Sequence, residues 1–391
     1  MPKDSIGVAV IGAGMAGRAH AFGYRSATSV FGLDLPDVRL VSIADLNQDL
    51  AADTARRYGF SRTDASWEAI VDADDIDAVS VVVANPLHRE IVEALAAAGK
   101  HVLCEKPLAP SAKDAQAMIE AVDRAGVLGR VGFTFRRSPA ICAIREEILS
   151  GRLGRVLHFS GQYWNDYACD PQAPMSWRYK GPVGSGALAD VGSHISDLAE
   201  FLCGPVESVH GATLTTQIAE RPLPLGAVVG HQLVSVSDET EPVENDDWAS
   251  YCLRFAEGGS GTISASRIAH GHPNTLKFEV FCEHGAATFD QSSPAEFGLI
   301  TDDLPDRANG YRRVLVGHDH PYMAQGMPMD GAGIGLGHNE SFIFQARAFL
   351  DEIAGNDTLP RCASLSEGLH NLNLLDAVVG SATTGSTVRV P

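Results

Sequence analysis

Cysteine is scarce in this chain: seven stand among 391 residues, and no two form a C-x-x-C pair. That argues against a disulfide framework or a paired-thiolate zinc site. It points to free thiols in a reducing compartment, so a cytoplasmic location is expected. No long unbroken apolar run occurs, which argues against a membrane-spanning helix. The opening Met1-Pro2-Lys3-Asp4-Ser5 leads straight into an apolar stretch and leaves no room for a signal peptide. Positive charge is also short, with 30 Lys and Arg against 49 Asp and Glu and a formal charge of −19. So acidic a chain suits neither nucleic acid nor an anionic membrane surface as its main partner; it fits a small neutral or cationic ligand. There is no internal repeat or low-complexity tract. The length predicts two domains.

What is present centres on Val8-Ala9-Val10-Ile11-Gly12-Ala13-Gly14-Met15-Ala16-Gly17. Four apolar residues read as a buried parallel strand, and a helical segment follows the glycines. This is the strand, G-x-G-x-x-G and helix context of a dinucleotide-binding turn. Gly12 allows the tight turn, Gly14 lets the backbone approach a pyrophosphate, and Gly17 allows close helix–strand packing. The backbone of Met15 and Ala16 opens the helix, where free N–H groups and the helix dipole favour an anion. A second strand, 38–44, ends at Asp45, which can accept the hydroxyls of an adenosine ribose. The interval from Gly17 to Asp45 (45 − 17 = 28 residues) is longer than the usual spacing of about 20. The loop Phe31 to Pro36 explains the excess. An Asp here repels a 2′-phosphate and no Arg follows it, so NAD is expected in preference to NADP. The alternative for Asp45 is a cap on the helix beginning near Asn47.

Strands at 78–84, 101–104 and 127–133 alternate with helices at 50–58, 67–71, 88–98 and 112–125. That alternation predicts a doubly wound parallel sheet of the Rossmann type over residues 1–133. Ligands of such sheets gather at the carboxyl ends of strands, where Gly12, Asp45, Asn85 and Lys106 all fall. Residues 134–391 change character. Alternating runs at 156–164, 208–215, 250–255, 261–268, 276–281 and 285–289 predict an α+β domain with a large, mainly antiparallel open sheet. Helices are expected at 188–202, 339–353 and 364–377. The stretches 221–247 and 305–336 read as long loops.

Two clusters could carry chemistry. Glu105-Lys106-Pro107 closes a buried strand on the cofactor edge, where an ammonium can donate to a substrate hydroxyl; a lone loop lysine is the plain alternative. Asp190, His194 and Asp197 are spaced by four and three, which puts them on one helix face. Histidine is well suited to moving a proton near neutral pH, and a neighbouring carboxylate would tune it. The same spacing suits a surface ion pair. A metal is not expected, since no further ligand stands at the right spacing. Tyr163-Trp164-Asn165-Asp166-Tyr167 and Trp177-Arg178-Tyr179 mix rings with hydroxyl-binding groups, as sugar sites do, although each ring could equally be packing. Arg136 and Arg137 follow the last strand of the first sheet and could reach a ligand. His338 could reach it too, with Asn339 as a helix cap. His20 reads as packed within the first helix.

Taken together, these segments resemble the Gfo/Idh/MocA oxidoreductases. The resemblance rests on the glycine turn, Asp45, Asn85-Pro86-Leu87-His88, Glu105-Lys106-Pro107, the Gly-Ser-Gly-Ala-Leu-x-Asp-x-Gly-x-His-x-x-Asp segment and the final helix. The third-strand turn departs from the family's more usual Thr-Pro-Asn. By this resemblance Lys106, Asp190 and His194 form the catalytic set, with a cis bond between Lys106 and Pro107. Asn85, His88, Glu105 and Lys106 would stand by the cofactor. Lys106, Arg136, Tyr163, Asp166, Trp177, Arg178, Asp190, His194 and His338 would meet the substrate. The free face of the second sheet would join copies into a homodimer or homotetramer. The reaction implied moves a hydride between a ring secondary hydroxyl of an unphosphorylated sugar, glycoside or inositol and NAD. His194 or Lys106 would serve as base and Asp190 would orient the pair. Two alternatives are a glycoside-processing enzyme that keeps its NAD bound and a non-catalytic sugar or NAD sensor.

Overall fold

The computed structural model describes residues 4–391 except 32–34, 227, 229–232, 304–308 and 357. The start of the chain, the centre of the loop expected at 31–36, and parts of the two long stretches read as loops therefore lie outside the described residues. Two compact units form, one from Met1–Pro139 with Gly317–Leu372 and the other from Ala140–Val316 with Asn373–Pro391.

The first unit begins with β1 (Ser5–Ile11), α1 (Met15–Val30), β2 (Asp37–Ala44), α2 (Gln48–Tyr58), β3 (Arg62–Asp64) and α3 (Trp67–Val71). It continues with β4 (Ala78–Val81), α4 (His88–Ala97), β5 (His101–Cys104), α5 (Ala112–Ala125) and β6 (Gly129–Val131). These six strands are parallel in the order β6-β5-β4-β1-β2-β3, so the doubly wound fold expected from the sequence is the one observed. Chain direction across the sheet reverses between β1 and β4, which is where ligands of this fold bind. The reason for the strands is burial: β1 from Ile6 onward and all of β4 are buried, as strands covered on both faces are. The helices are set by their ends. Ser111 accepts the Asp114 N–H at 3.2 Å to start α5, and Gly126 at φ 67° ends it. Val79, Val81, Ile91, Leu95, Val102 and Met118 fill the space between sheet and helices. Burying each such side chain contributes roughly 1.5–3 kcal/mol.

The second unit holds α6 (Pro139–Leu149), β7 (Val156–Trp164), α7 (Ser193–Cys203), β8 (Val206–Thr215), β9 (Glu220–Pro224) and β10 (Val236–Pro242). It continues with β11 (Trp248–Phe255), β12 (Ser260–Ser266), β13 (Thr275–Cys282), β14 (Gly285–Asp290), β15 (Glu296–Thr301) and β16 (Arg312–Leu315). The chain ends with α8 (His338–Ala354), β17 (Ala363–Ser364), α9 (Leu365–Thr384) and β18 (Val388–Arg389). A nine-stranded sheet runs in the order β16-β15-β14-β13-β7-β12-β11-β8-β18. It is antiparallel apart from the β7–β12 pair. One face is packed: Phe159, Phe278 and Phe289 stack on adjacent strands with ring centroids 5.6 Å apart. α7 lies on that face. A Cβ on Gly161 would come within 2.9 Å of Ile195, so a glycine in β7 admits the helix, and Ser196 shares a 2.6 Å hydrogen bond with Tyr251 in β11.

The sequence placed all of 134–391 in one second domain. The segment Gly317–Leu372 instead belongs with the first unit. Gly23 explains this. A Cβ there would lie 2.5 Å from the Phe342 carbonyl oxygen, so the glycine lets the α8 backbone close on α1, while Phe31 packs edge-on against Phe344. β17 then adds to β6 as an antiparallel edge strand.

Candidate active site

The glycine turn has the geometry its residues imply. Gly12 adopts φ 103°, and a Cβ there would lie 2.1 Å from the Val82 carbonyl oxygen. A Cβ on Gly17 would lie 1.8 Å from the Gly12 oxygen, so α1 can abut the turn only through glycine. Gly14 has nothing within 4 Å of such a Cβ, and it caps α1 without any side-chain hydrogen bond. No acidic residue occupies the first turn of α1, and Met15 is 69% exposed. An open, uncapped helix start of this kind fits a pyrophosphate. Gly17→Ala is therefore expected to destabilise the fold by about 1–3 kcal/mol in denaturant titration. Gly14→Ala is expected to leave apo stability unchanged but to weaken NADH binding about 10-fold by fluorescence titration, since the added methyl occupies only the approach to the phosphate.

Asp45 stands at the carboxyl end of β2. Its Oδ2 accepts the Ala13 N–H at 2.7 Å and its Oδ1 the Asn47 N–H at 2.8 Å, tying the acidic tip to the glycine turn. The cap of α2 is Asn47, whose side chain accepts the Leu50 N–H at 3.1 Å. Asn85, in a 3-10 turn after β4, donates to the Pro107 carbonyl at 3.4 Å. The Lys106–Pro107 peptide is cis. Lys106 is half-buried, and the Glu105 carboxylate accepts its backbone N–H at 3.2 Å. Burial pushes the Glu105 carboxyl up, but hydrogen bonding from His20 and the Lys106 charge pull it further down, so it lies below its usual range.

Three expectations for the first unit are corrected. His88 is 1% exposed, with its ring nitrogens each 3.1 Å from the Val83 and Leu108 carbonyl oxygens. It braces the loops that carry Asn85 and Lys106 and presents no ring atom to a cofactor. Arg136 is also buried, and its Nη1 donates to Glu367 at 2.5 Å, a contact that holds the start of α9. Asn339 does not cap α8: the cap is Gly337, whose N–H donates to Glu340 at 2.9 Å. His338 opens that helix with its ring stacked 4.6 Å from Phe135, and burial pushes its pKa down.

In the second unit the segment read as a continuous helix over 188–202 opens with a π turn, Leu188–Gly192, before α7. Such wide turns recur at functional sites. Asp190 lies in the π turn and accepts the Tyr167 hydroxyl at 2.9 Å. Burial and the Asp190 charge push the Tyr167 hydroxyl well above its usual value, so it remains a donor. His194 is half-buried in the first turn of α7, its ring 5.9 Å from that of Tyr163. Tyr163 donates to Asn274 at 2.8 Å. Asp166 is half-buried, whereas Asp197 is buried. Trp177 is 67% exposed with the Arg178 guanidinium 4.4 Å over its ring. Among the described residues no group of His, Cys, Asp or Glu is arranged to hold a metal.

Comparison with known proteins decides what this geometry belongs to. The oxidoreductase family with an NAD-binding Rossmann fold matches residues 6–133, and the GFO/IDH/MocA C-terminal domain matches 141–288. Levoglucosan dehydrogenase of Pseudarthrobacter phenanthrenivorans is 38% identical over 99% of both chains. The chain belongs to the Gfo/Idh/MocA oxidoreductase family. Inositol 2-dehydrogenase of Rhizobium meliloti is 28% identical over 97% of this chain and 98% of its own. A solved structure of levoglucosan dehydrogenase in complex with NADH and levoglucosan superposes with a TM-score of 0.89 at 35% identity, covering 99% of this chain and 100% of that one.

This Gfo/Idh/MocA chain also positions its Asp190 segment with residues that sequence reading missed. Asp246 is buried, and its carboxylate accepts the N–H groups of Gly184, Gly186 and Leu188 at 2.7–3.1 Å, which fixes the glycine loop and the π turn. Next to it, buried Arg267 pairs with Asp247 at 2.8 Å and donates to the Arg178 carbonyl at 2.9 Å. Arg221 donates to the carbonyls of Ala168 and Asp170 on the loop that carries Tyr167. Only the doublet Asp246-Asp247, unusual between two strands, hinted at this.

Proposed function

We propose that this NAD-dependent oxidoreductase acts on a ring secondary hydroxyl of a neutral, unphosphorylated sugar, with anhydro sugars such as levoglucosan first among its substrates. The end-to-end identity of 38% with a levoglucosan dehydrogenase carries this reading. The acidic chain, at −19, is in keeping with an uncharged substrate.

In this reading the backbone of Gly12 to Gly17 holds the cofactor's pyrophosphate and Asp45 its adenosine ribose, with Asn85, Glu105 and Lys106 beside the nicotinamide. When bound, NAD supplies the hydride acceptor. Lys106 donates a hydrogen bond to the reacting hydroxyl oxygen and stabilises the negative charge that develops there. His194 takes the hydroxyl proton. Asp190, held by Tyr167, orients the pair. Tyr163, Asp166, Trp177, Arg178 and His338 are the substrate contacts, with the exposed Trp177 face suited to the apolar side of a sugar ring. We further place the protein in the cytoplasm as a homodimer or homotetramer. All seven cysteines are free, as a reducing compartment favours, and among the described residues no helix is long and apolar enough to cross a membrane. Light scattering after size exclusion reads the assembly; a monomer contradicts it.

The test is a screen of levoglucosan, other anhydro sugars, aldoses, glycosides and inositols with NAD and NADP, following absorbance of the reduced cofactor. The expected result is stoichiometric release of NADH with at least one neutral ring polyol. Turnover without free NADH favours the bound-cofactor alternative. Turnover of phosphorylated sugars alone contradicts the reading.

A further inference from the structure

We infer that His20 is a positioning residue for Lys106, acting through a buried hydrogen-bond relay Tyr24–Ser80–His20–Glu105. The inference rests on Lys106 being catalytic, as proposed above.

The relay crosses three elements of the first unit. His20 and Tyr24 are one helical turn apart on the buried face of α1, Ser80 is in β4, and Glu105 follows β5. His20 Nε2 lies 2.8 Å from Glu105 Oε1, His20 Nδ1 lies 3.0 Å from Ser80 Oγ, and Ser80 Oγ lies 2.9 Å from the Tyr24 hydroxyl. The proton positions follow from chemistry. A carboxylate only accepts, so Nε2 carries the ring proton and donates to Glu105. Nδ1 is then bare and accepts from Ser80, whose oxygen accepts from Tyr24. Burial raises the phenol's pKa and keeps that proton in place. In the reverse direction the phenol proton has no acceptor among the described residues.

The far end of the relay is what matters for the reaction. Glu105 presents Oε1 to His20 and Oε2 to the Lys106 N–H, so the two oxygens of one carboxylate link α1 to the lysine's own backbone. The seat is tight, because a Cβ on Gly132 would lie 2.5 Å from Oε1. On its other side His20 is closed off by Phe342 of α8, edge-on at 5.5 Å. Without the Nε2 donor, Glu105 keeps one buried lone pair unsatisfied and can turn, and the Lys106 backbone moves with it. A shift of an ångström at a reacting group is enough to lower turnover about 100-fold.

Two isosteric variants separate positioning from simple packing. A glutamine amide reaches where Nε2 stands, and an asparagine amide reaches only where Nδ1 stands. His20→Gln is expected to keep kcat within about threefold of wild type, and His20→Asn to lose about 30-fold, at similar Tm and NADH affinity. Equal kcat in the two variants overturns the inference, as does a loss that follows Tm or NADH affinity. Should both fail to fold, Ser80→Ala decides: the hydroxyl that fixes the tautomer is gone and kcat is expected to fall about threefold, so unchanged kcat overturns the relay. Lys106→Ala run alongside keeps the two claims apart. Full activity there defeats the catalytic assignment itself, whereas an essential Lys106 with an indifferent His20→Asn defeats only the positioning role.

Discussion

Lys106→Ala is expected to lower kcat by about 10³-fold while NADH affinity and Tm stay near wild type. The size follows from the two roles that the proposed mechanism gives to one group: the ammonium would donate to the hydroxyl oxygen and neutralise the charge that builds as the hydride leaves. Each such interaction is stronger in the transition state than in the ground state, so kcat falls more than KM rises. Binding is spared because the Glu105 carboxylate accepts the backbone N–H of residue 106, and truncating the side chain leaves that hydrogen bond in place. Pre-steady-state mixing with a saturating substrate measures the effect. A variant within tenfold of wild type removes Lys106 from the chemistry.

The second large effect concerns cofactor choice. The double substitution Asp45→Ser with Leu46→Arg is expected to swing the ratio of kcat/KM for NAD over NADP by about 10³-fold toward NADP. Asp45 ends β2 with its carboxylate fixed by the N–H groups of Ala13 and Asn47, which aims a fixed negative charge at the expected place of the ribose. In the proposed binding mode, removing it would end both the charge-assisted bonds to the ribose hydroxyls and the repulsion of a 2′-phosphate. Leu46 is 90% exposed, so an arginine there disturbs no packing. A smaller residual preference for NAD is consistent with serine still capping the Ala13 N–H. No change in the ratio contradicts the role given to Asp45.

Much of the first unit could be read from sequence because buried parallel strands leave unbroken apolar runs and the glycines have steric duties that no other residue meets. β3 escaped because Arg62–Asp64 is three half-buried polar residues held by β2 alone. The β9–β10 pair escaped for a similar reason: Glu220–Pro224 carries two prolines and Val236–Pro242 five charged or hydroxyl side chains, so neither alternates as a half-buried strand does. The placement of α8 against α1 depends on Gly23, whose role appears only once its distant partner is known. The same limit applies to the site. His20 was read as packed, and it is buried, but its partners Ser80 and Glu105 lie far along the chain and no local pattern announces them. Asp246 and Arg267 organise the segments around Asp190 through contacts of the same long-range kind.

The central claim is that the Lys106 ammonium and the His194 imidazole act on one hydroxyl. A crystal structure of the protein with NADH and levoglucosan, or whichever sugar the screen selects, tests this most directly. The account predicts both nitrogen atoms within about 3 Å of the same sugar oxygen. A well-ordered sugar touched by neither, or by only one of them, contradicts it.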